Sequence, residues 1–166
     1  MMNNHDRFTQ NMYGNVHAEW EKENNVHKNS LMDCGTQPFV TNIQNATLSN
    51  RCFRTALWTG QYLQLTLMSI PAGGDIGLEA HDDVDQFLRI EQGQGIVMMG
   101  ESSDSVAVCG RVYPGCAILV PAGTWHNLIN AGCTPIKLYS IYAPPQHPFG
   151  TVHVTKKDAL ADENHY

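Results

Sequence analysis

The stretch GCAILVPAGTWHNLIN, residues 115–130, decides how this chain is read. Gly115 turns the chain into an apolar run, AILV, that reads as a buried strand. Pro121 lacks a backbone donor and Gly123 tolerates unusual backbone angles, so the two together make a hairpin bend. The next strand begins at Trp125. Because side chains alternate along a strand, His126 falls opposite Trp125 and on the same face as Leu128. An imidazole therefore sits near the start of an otherwise apolar strand.

Working outward, the chain from Pro38 onward is a succession of short runs rich in β-branched, aromatic and Leu residues, each ended by Gly, Pro, Asn or Ser-Asp turns. The candidate strands are FRTALW, YLQLTLMSI, IGLEAH, DQFLRIE, GIVMMG, VAVCGRVY, AILVP, WHNLIN and IKLYSIYA. In YLQLTLMSI, alternation separates Leu63, Leu65 and Leu67 from Gln64, Thr66 and Met68, the pattern of a half-buried strand. No helix is expected before the tail. Many short strands at even spacing predict an all-β sandwich or barrel over residues 39–143. Residues 1–38, rich in Asn, His, Glu and Lys, read as a flexible polar arm. Residues 144–166 open with Pro144, Pro145 and Pro148 and read as an extended tail, with a short helix over KKDALADE allowed.

Composition narrows the function classes. A length of 166 residues suits one domain, and 42% hydrophobic against 16% charged residues is enough to fold it. Sixteen acidic residues oppose ten basic ones, giving a formal charge of -6, and the basic residues are scattered apart from Lys156 and Lys157. Without a clustered basic face, neither nucleic acid nor an anionic membrane is an expected partner. No run approaches the length of a membrane span. The five cysteines are odd in number and form no CxxC pair, which disfavours a disulfide framework and a thiolate zinc knot. The amino terminus has no apolar leader region, so a cytoplasmic location is expected.

The spacing Gly115, Pro121, Gly123, His126, Asn130 resembles the second signature motif of the cupin superfamily at all five defining positions. The family's first motif is Gly, five residues, His, one residue, His, three or four residues, Glu, six residues, Gly. Its counterpart here is Gly73, Glu79, His81, Gln86 and Gly93: every spacing survives, while Glu79 replaces the first His and Gln86 replaces the acid. The chain is thereby identified as similar to a single-domain cupin, a jelly-roll β-barrel. That resemblance implies a metal centre in the barrel, and homodimers are common in the superfamily.

Glu79 and His81 at i and i+2 share a strand face, Gln86 arrives on the neighbouring strand, and with His126 they make a four-ligand N/O set. A rival register pairs His81 with Asp83, but it destroys the Gly73 spacing. Asp82, Asp83 and Asp85 are more simply a solvated acidic bend. One carboxylate, two imidazoles and one amide oxygen suit a single divalent ion: Fe(II), Mn(II), Ni(II) or Zn(II). A carboxylate on the inward face of an apolar strand costs several kcal/mol unless it is paired or bound to a cation, which weighs against a degenerate, metal-free barrel.

Other candidates read as structural. At most one of Tyr139 and Tyr142 faces the cavity. His147 and His153 are expected to be exposed on the tail, Arg89 to be at the surface or a subunit contact, Cys109 and Cys116 to be small core residues, and Met98 and Met99 to be packing.

The leading expectation is a metal-dependent isomerase or lyase acting on a small polar metabolite, a sugar or hydroxy acid. The ligand types resemble those of phosphomannose isomerases, which are also cupins, with Gln and Glu exchanged. Glu79, His81 and His126 alone would make a 2-His-1-carboxylate set, so the alternatives are a non-haem Fe(II) dioxygenase and a non-catalytic binding cupin.

Overall fold

A computed structural model describes residues 32–163, and the reading of the arm as flexible concerns residues that lie mostly outside that range. Nine strands and two helices are present among the described residues: α1 (Ile43–Ser49), β1 (Arg54–Thr59), β2 (Gln64–Ile70), β3 (Asp85–Gln92), β4 (Gly95–Gly100), β5 (Ala107–Val112), β6 (Ala117–Val120), β7 (Trp125–Asn130), β8 (Ile136–Ala143), β9 (Val152–His153) and α2 (Lys156–Glu163). The strands form a six-stranded sheet ordered β6-β3-β8-β2-β1-β9 and a three-stranded sheet ordered β5-β4-β7. Every pairing is antiparallel. The sheets pack face to face over one apolar cluster, with Met68, Ile70, Leu88, Ile90 and Leu138 contributed by the large sheet and Val97, Val112 and Leu128 by the small one. Each such side chain contributes about 1.5–3 kcal/mol by leaving water.

The bend that Pro121 and Gly123 were read to make is present: Thr124 N–H donates to the Pro121 carbonyl at 3.1 Å, and Gly115 and Gly123 have φ of 93° and 75°, angles that a side chain would strain. It is not a hairpin between paired strands. β6 pairs with β3 in the large sheet and β7 with β4 in the small one, so the turn hands the chain from one sheet to the other.

IGLEAH is not a regular strand. The segment between β2 and β3 touches β7 through isolated bridges, Asp75 opposite Ile129 and Glu79 opposite His126. The alternation in β2 also runs opposite to the simple expectation. Gln64, Thr66, Met68 and Ile70 are the fully buried inward set, while Leu63 is exposed and Leu65 only half-buried. Leu67 points outward yet is buried.

The expected absence of a helix before the tail is corrected by α1, which lies on the outer face of β8, β3 and β2. Asn42 caps it, its side-chain oxygen accepting from Asn45 N–H at 2.9 Å. The sheet-facing positions are Ile43, Ala46, Thr47 and Asn50, a helical spacing hidden from sequence because two of the four are polar. Thr47 satisfies its hydroxyl on the Ile43 carbonyl (2.7 Å), and Asn50 uses its amide on Cys52 and Thr55.

Contacts to the barrel begin ahead of Pro38. Cys34 N–H donates to the Leu57 carbonyl at 2.8 Å, and the Asp33 carboxylate accepts from the Thr59 hydroxyl (2.6 Å) and Gly150 N–H (2.9 Å). Cys109 corrects another expectation: it is exposed on β5, an edge strand, whereas Cys116 packs against the core.

Candidate metal centre

β7 starts at the sheet-crossing turn, and its inward positions are His126, Leu128 and Asn130, all buried. The His126 ring is oriented from behind, with Nδ1 3.0 Å from the Thr124 carbonyl oxygen. A carbonyl only accepts, so Nδ1 carries a hydrogen and Nε2 is the ring atom turned toward Glu79 and the barrel interior.

Glu79 is brought alongside by its backbone. Glu79 N–H donates to the His126 carbonyl at 3.0 Å and His126 N–H returns the bond at 2.8 Å. The segment is tied down again where Gly123 N–H donates to the His81 carbonyl at 2.8 Å. Glu79 Oε1 then lies 3.5 Å from His126 Nε2 and 3.5 Å from His81 Nε2. One ligand atom from each of Glu79, His81 and His126 lies within 4.8 Å of the other two. Gln86, on β3, is 3% exposed and donates from Nε2 to Ser140 Oγ at 3.0 Å, leaving Oε1 buried without a partner. The rival Asp83 sits in an exposed turn outside this group.

The donor set fits a divalent cation. His81 Nε2, His126 Nε2 and Gln86 Oε1 are all buried with no hydrogen-bond partner. Buried polar atoms are rarely left so, and two such imidazole nitrogens beside a carboxylate call for a bound ion or ligand. Separations near 3.5 Å are also what adjacent ligands span around a metal with bonds of about 2.0–2.1 Å. Burial acts to raise the Glu79 pKa, but the imidazoles of His126 and His81 and the charge of Arg54 outweigh it and hold the carboxyl well below the usual carboxylate range. Glu79 is an anion here, as a ligand must be.

Glu79 and His81 line a cavity of about 660 Å³, together with Arg54, Leu78, Trp125, His147, Thr151 and His153, among others. Three of these were missed or misread in the sequence. His153 is 5% exposed and pairs with Asp162 of α2 at 2.8 Å. His147 is half-buried, packed edge-on to Tyr142 with ring centroids 5.1 Å apart. Burial, reinforced by Arg54, pushes the His147 pKa down to about 3. Arg54 is 1% exposed at the start of β1. Tyr142 is the tyrosine that faces inward, its ring edge-on to His81 at 5.8 Å, and burial pushes its phenol pKa up. Tyr139 faces away and packs on Phe87.

A signal for the tail did exist. In the triplet Val152-His153-Val154 the valines are exposed and the histidine is buried, so alternation was present with its polarity inverted.

Comparison with known proteins adds relatives to this geometry. The sequence profile described as "Cupin domain" matches residues 66–142. The chain is 65% identical over 134 residues to the uncharacterized protein YrkC of Bacillus subtilis (strain 168), covering 81% of this chain and 72% of that one. It is 40% identical over 121 residues to the uncharacterized protein L612 of Acanthamoeba polyphaga mimivirus, covering 72% and 74%. Among solved structures, BH2720 from Bacillus halodurans superposes with a TM-score of 0.77 at 59% identity, over 78% of this chain and 98% of that one.

Proposed function

Because the chain belongs to the cupin superfamily, we propose that it is a metal-dependent enzyme of isomerase or lyase type acting on a small polar metabolite, a sugar or hydroxy acid. The observation that carries this reading is the convergence of Glu79, His81 and His126, of which Glu79 and His81 line a cavity, with both histidine Nε2 atoms lacking a hydrogen-bond partner. A bound divalent cation would supply Lewis-acid polarisation of a substrate carbonyl or hydroxyl. Gln86 adds its amide oxygen from β3, and Thr124 holds the His126 ring in the ligating tautomer. Leu78 and Trp125 line the same cavity and give it an apolar wall.

Elemental analysis of freshly isolated protein tests this. About one metal per chain is expected, lost in Glu79→Ala and His126→Ala. Unchanged metal in either variant overturns the assignment.

A second reading rests on the ligand types: two histidines and one carboxylate are the set used by non-haem Fe(II) oxygenases. Oxygen consumption coupled to turnover would select it. An isomerase or lyase turns over equally well without oxygen.

The homodimer that the resemblance implies finds support on the outer face of the large sheet. Leu119, Phe87, Ile141 and Leu65 stand in register across four strands, and Leu119 is 69% exposed. Sedimentation should give a dimer that Leu119→Lys dissociates; a monomeric wild type ends the idea.

A further inference from the structure

Resting on the metal-enzyme reading, we infer that the metabolite carries a carboxylate and that Arg54 is the residue that binds it. Arg54 is held rigidly, since β1 is paired on both sides, with Arg54 opposite Met68 on β2 and opposite His153 on β9. Its side chain lines the cavity that also holds Glu79 and His81. It is 1% exposed, and its Nε and Nη1 have no hydrogen-bond partner. The guanidinium carbon lies 5.6 Å from the Phe53 ring centroid, which offers a π face but no acceptor. Among the described residues no carboxylate forms an ion pair with it. Glu79 engages His81 and His126, and Asp162 engages His153.

A buried guanidinium is costly without an acceptor, so one that faces a cavity with two donors idle is built for an anion that arrives from solution. A planar, permanently charged guanidinium with donors to spare is suited to pair with a carboxylate. Charge points the same way. A divalent cation beside Glu79, together with Arg54, leaves the inner cavity net positive, and a neutral sugar would leave that charge unbalanced. A hydroxy or keto acid spanning cation and guanidinium balances it. His147, kept neutral, adds an unpartnered Nε2 but no opposing charge.

The experiment measures binding by calorimetry to the full-length, metal-loaded protein, with L-lactate and malonate as probes, lactamide and malonamide as their neutral isosteres, and inorganic phosphate as a second anion. Wild type should prefer the acids to the amides by about tenfold or more. Arg54→Gln should erase that preference, with metal content unchanged and binding of the amides unaltered. Arg54→Lys, which keeps the charge but loses the planar guanidinium, should fall between. Equal binding of acids and amides by wild type, no binding of either acid, or a preference that survives in Arg54→Gln overturns the inference. Phosphate bound more tightly than malonate overturns the carboxylate assignment. Should Arg54→Gln fail to fold, the acid–amide contrast in wild type and in Arg54→Lys decides. Metal content of the same samples keeps the two readings apart: Arg54-dependent binding in protein that takes up no metal sinks the metal reading alone.

Discussion

The two ends of the barrel are built from the same strands and differ in what those strands send inward. β2 passes from Gln64 and Thr66 to Met68 and Ile70, β3 from Gln86 to Leu88 and Ile90, β8 from Tyr142 and Ser140 to Leu138 and Ile136. The pairing register aligns these changes: Gln64 and Gln86 both face Tyr142, whereas Met68 and Ile90 both face Leu138. One end becomes a hydrocarbon layer that closes the fold, and the other a layer of polar groups with unsatisfied atoms. The packed core and the candidate site are thereby separated along the barrel axis, the burial of the polar groups being offset by the packing.

That division can be broken from either side. The largest effect on stability is expected at the closed end, where Leu138→Ala opens a cavity in fully buried surroundings and should cost about 2–5 kcal/mol in urea denaturation, with metal content kept. An equal loss of metal would show that the ends are not separable.

A smaller effect belongs to the open end and to acid. His147 has a pKa pushed down to about 3 in the fold, while the unfolded chain keeps the ordinary value of about 6.5. The unfolded chain therefore binds the extra proton first. The stability held above pH 6.5 is lost as pH falls toward 3, about 1–2 kcal/mol of it between pH 7 and 5. Thermal melts across that range should flatten in His147→Phe, and an unchanged slope would place the acid sensitivity elsewhere.

The smallest stability effect is expected for Gln86→Met, which keeps the volume and removes the unpartnered oxygen at the loss of one bond to Ser140. Stability should move by about 1 kcal/mol or less. Metal affinity, read by competition with a chelator, should fall about tenfold or more. A variant that binds metal as tightly as wild type would remove Gln86 from the ligand set.

How far the site was legible depended on how local its cause was. His126 could be placed from the sequence because a five-position spacing and strand alternation fix its face within sixteen residues. Glu79 and His81 were found by the same spacing, although the strand assumed for them is a crossing segment held by bridges to β7. α1 escaped because its seven residues, with Thr47 and the C-terminal cap Asn50 on the sheet-facing side, show no apolar period. Arg54 escaped because nothing next to it in the chain marks it: its role arises from β9 on one side and the 71–84 crossing on the other.

The order of residues was thus sufficient for an all-β architecture, for most strand limits, and for the histidine and carboxylate that meet at β7, since alternation and turn chemistry act over a few residues. Tertiary structure alone decided which face of β2 is inside, that the tail closes on the cavity through His153 and Asp162, and that a guanidinium is buried with no acceptor. Those outcomes depend on segments nearly a hundred residues apart coming together, and burial is a property of what covers a residue, which its sequence neighbours do not specify.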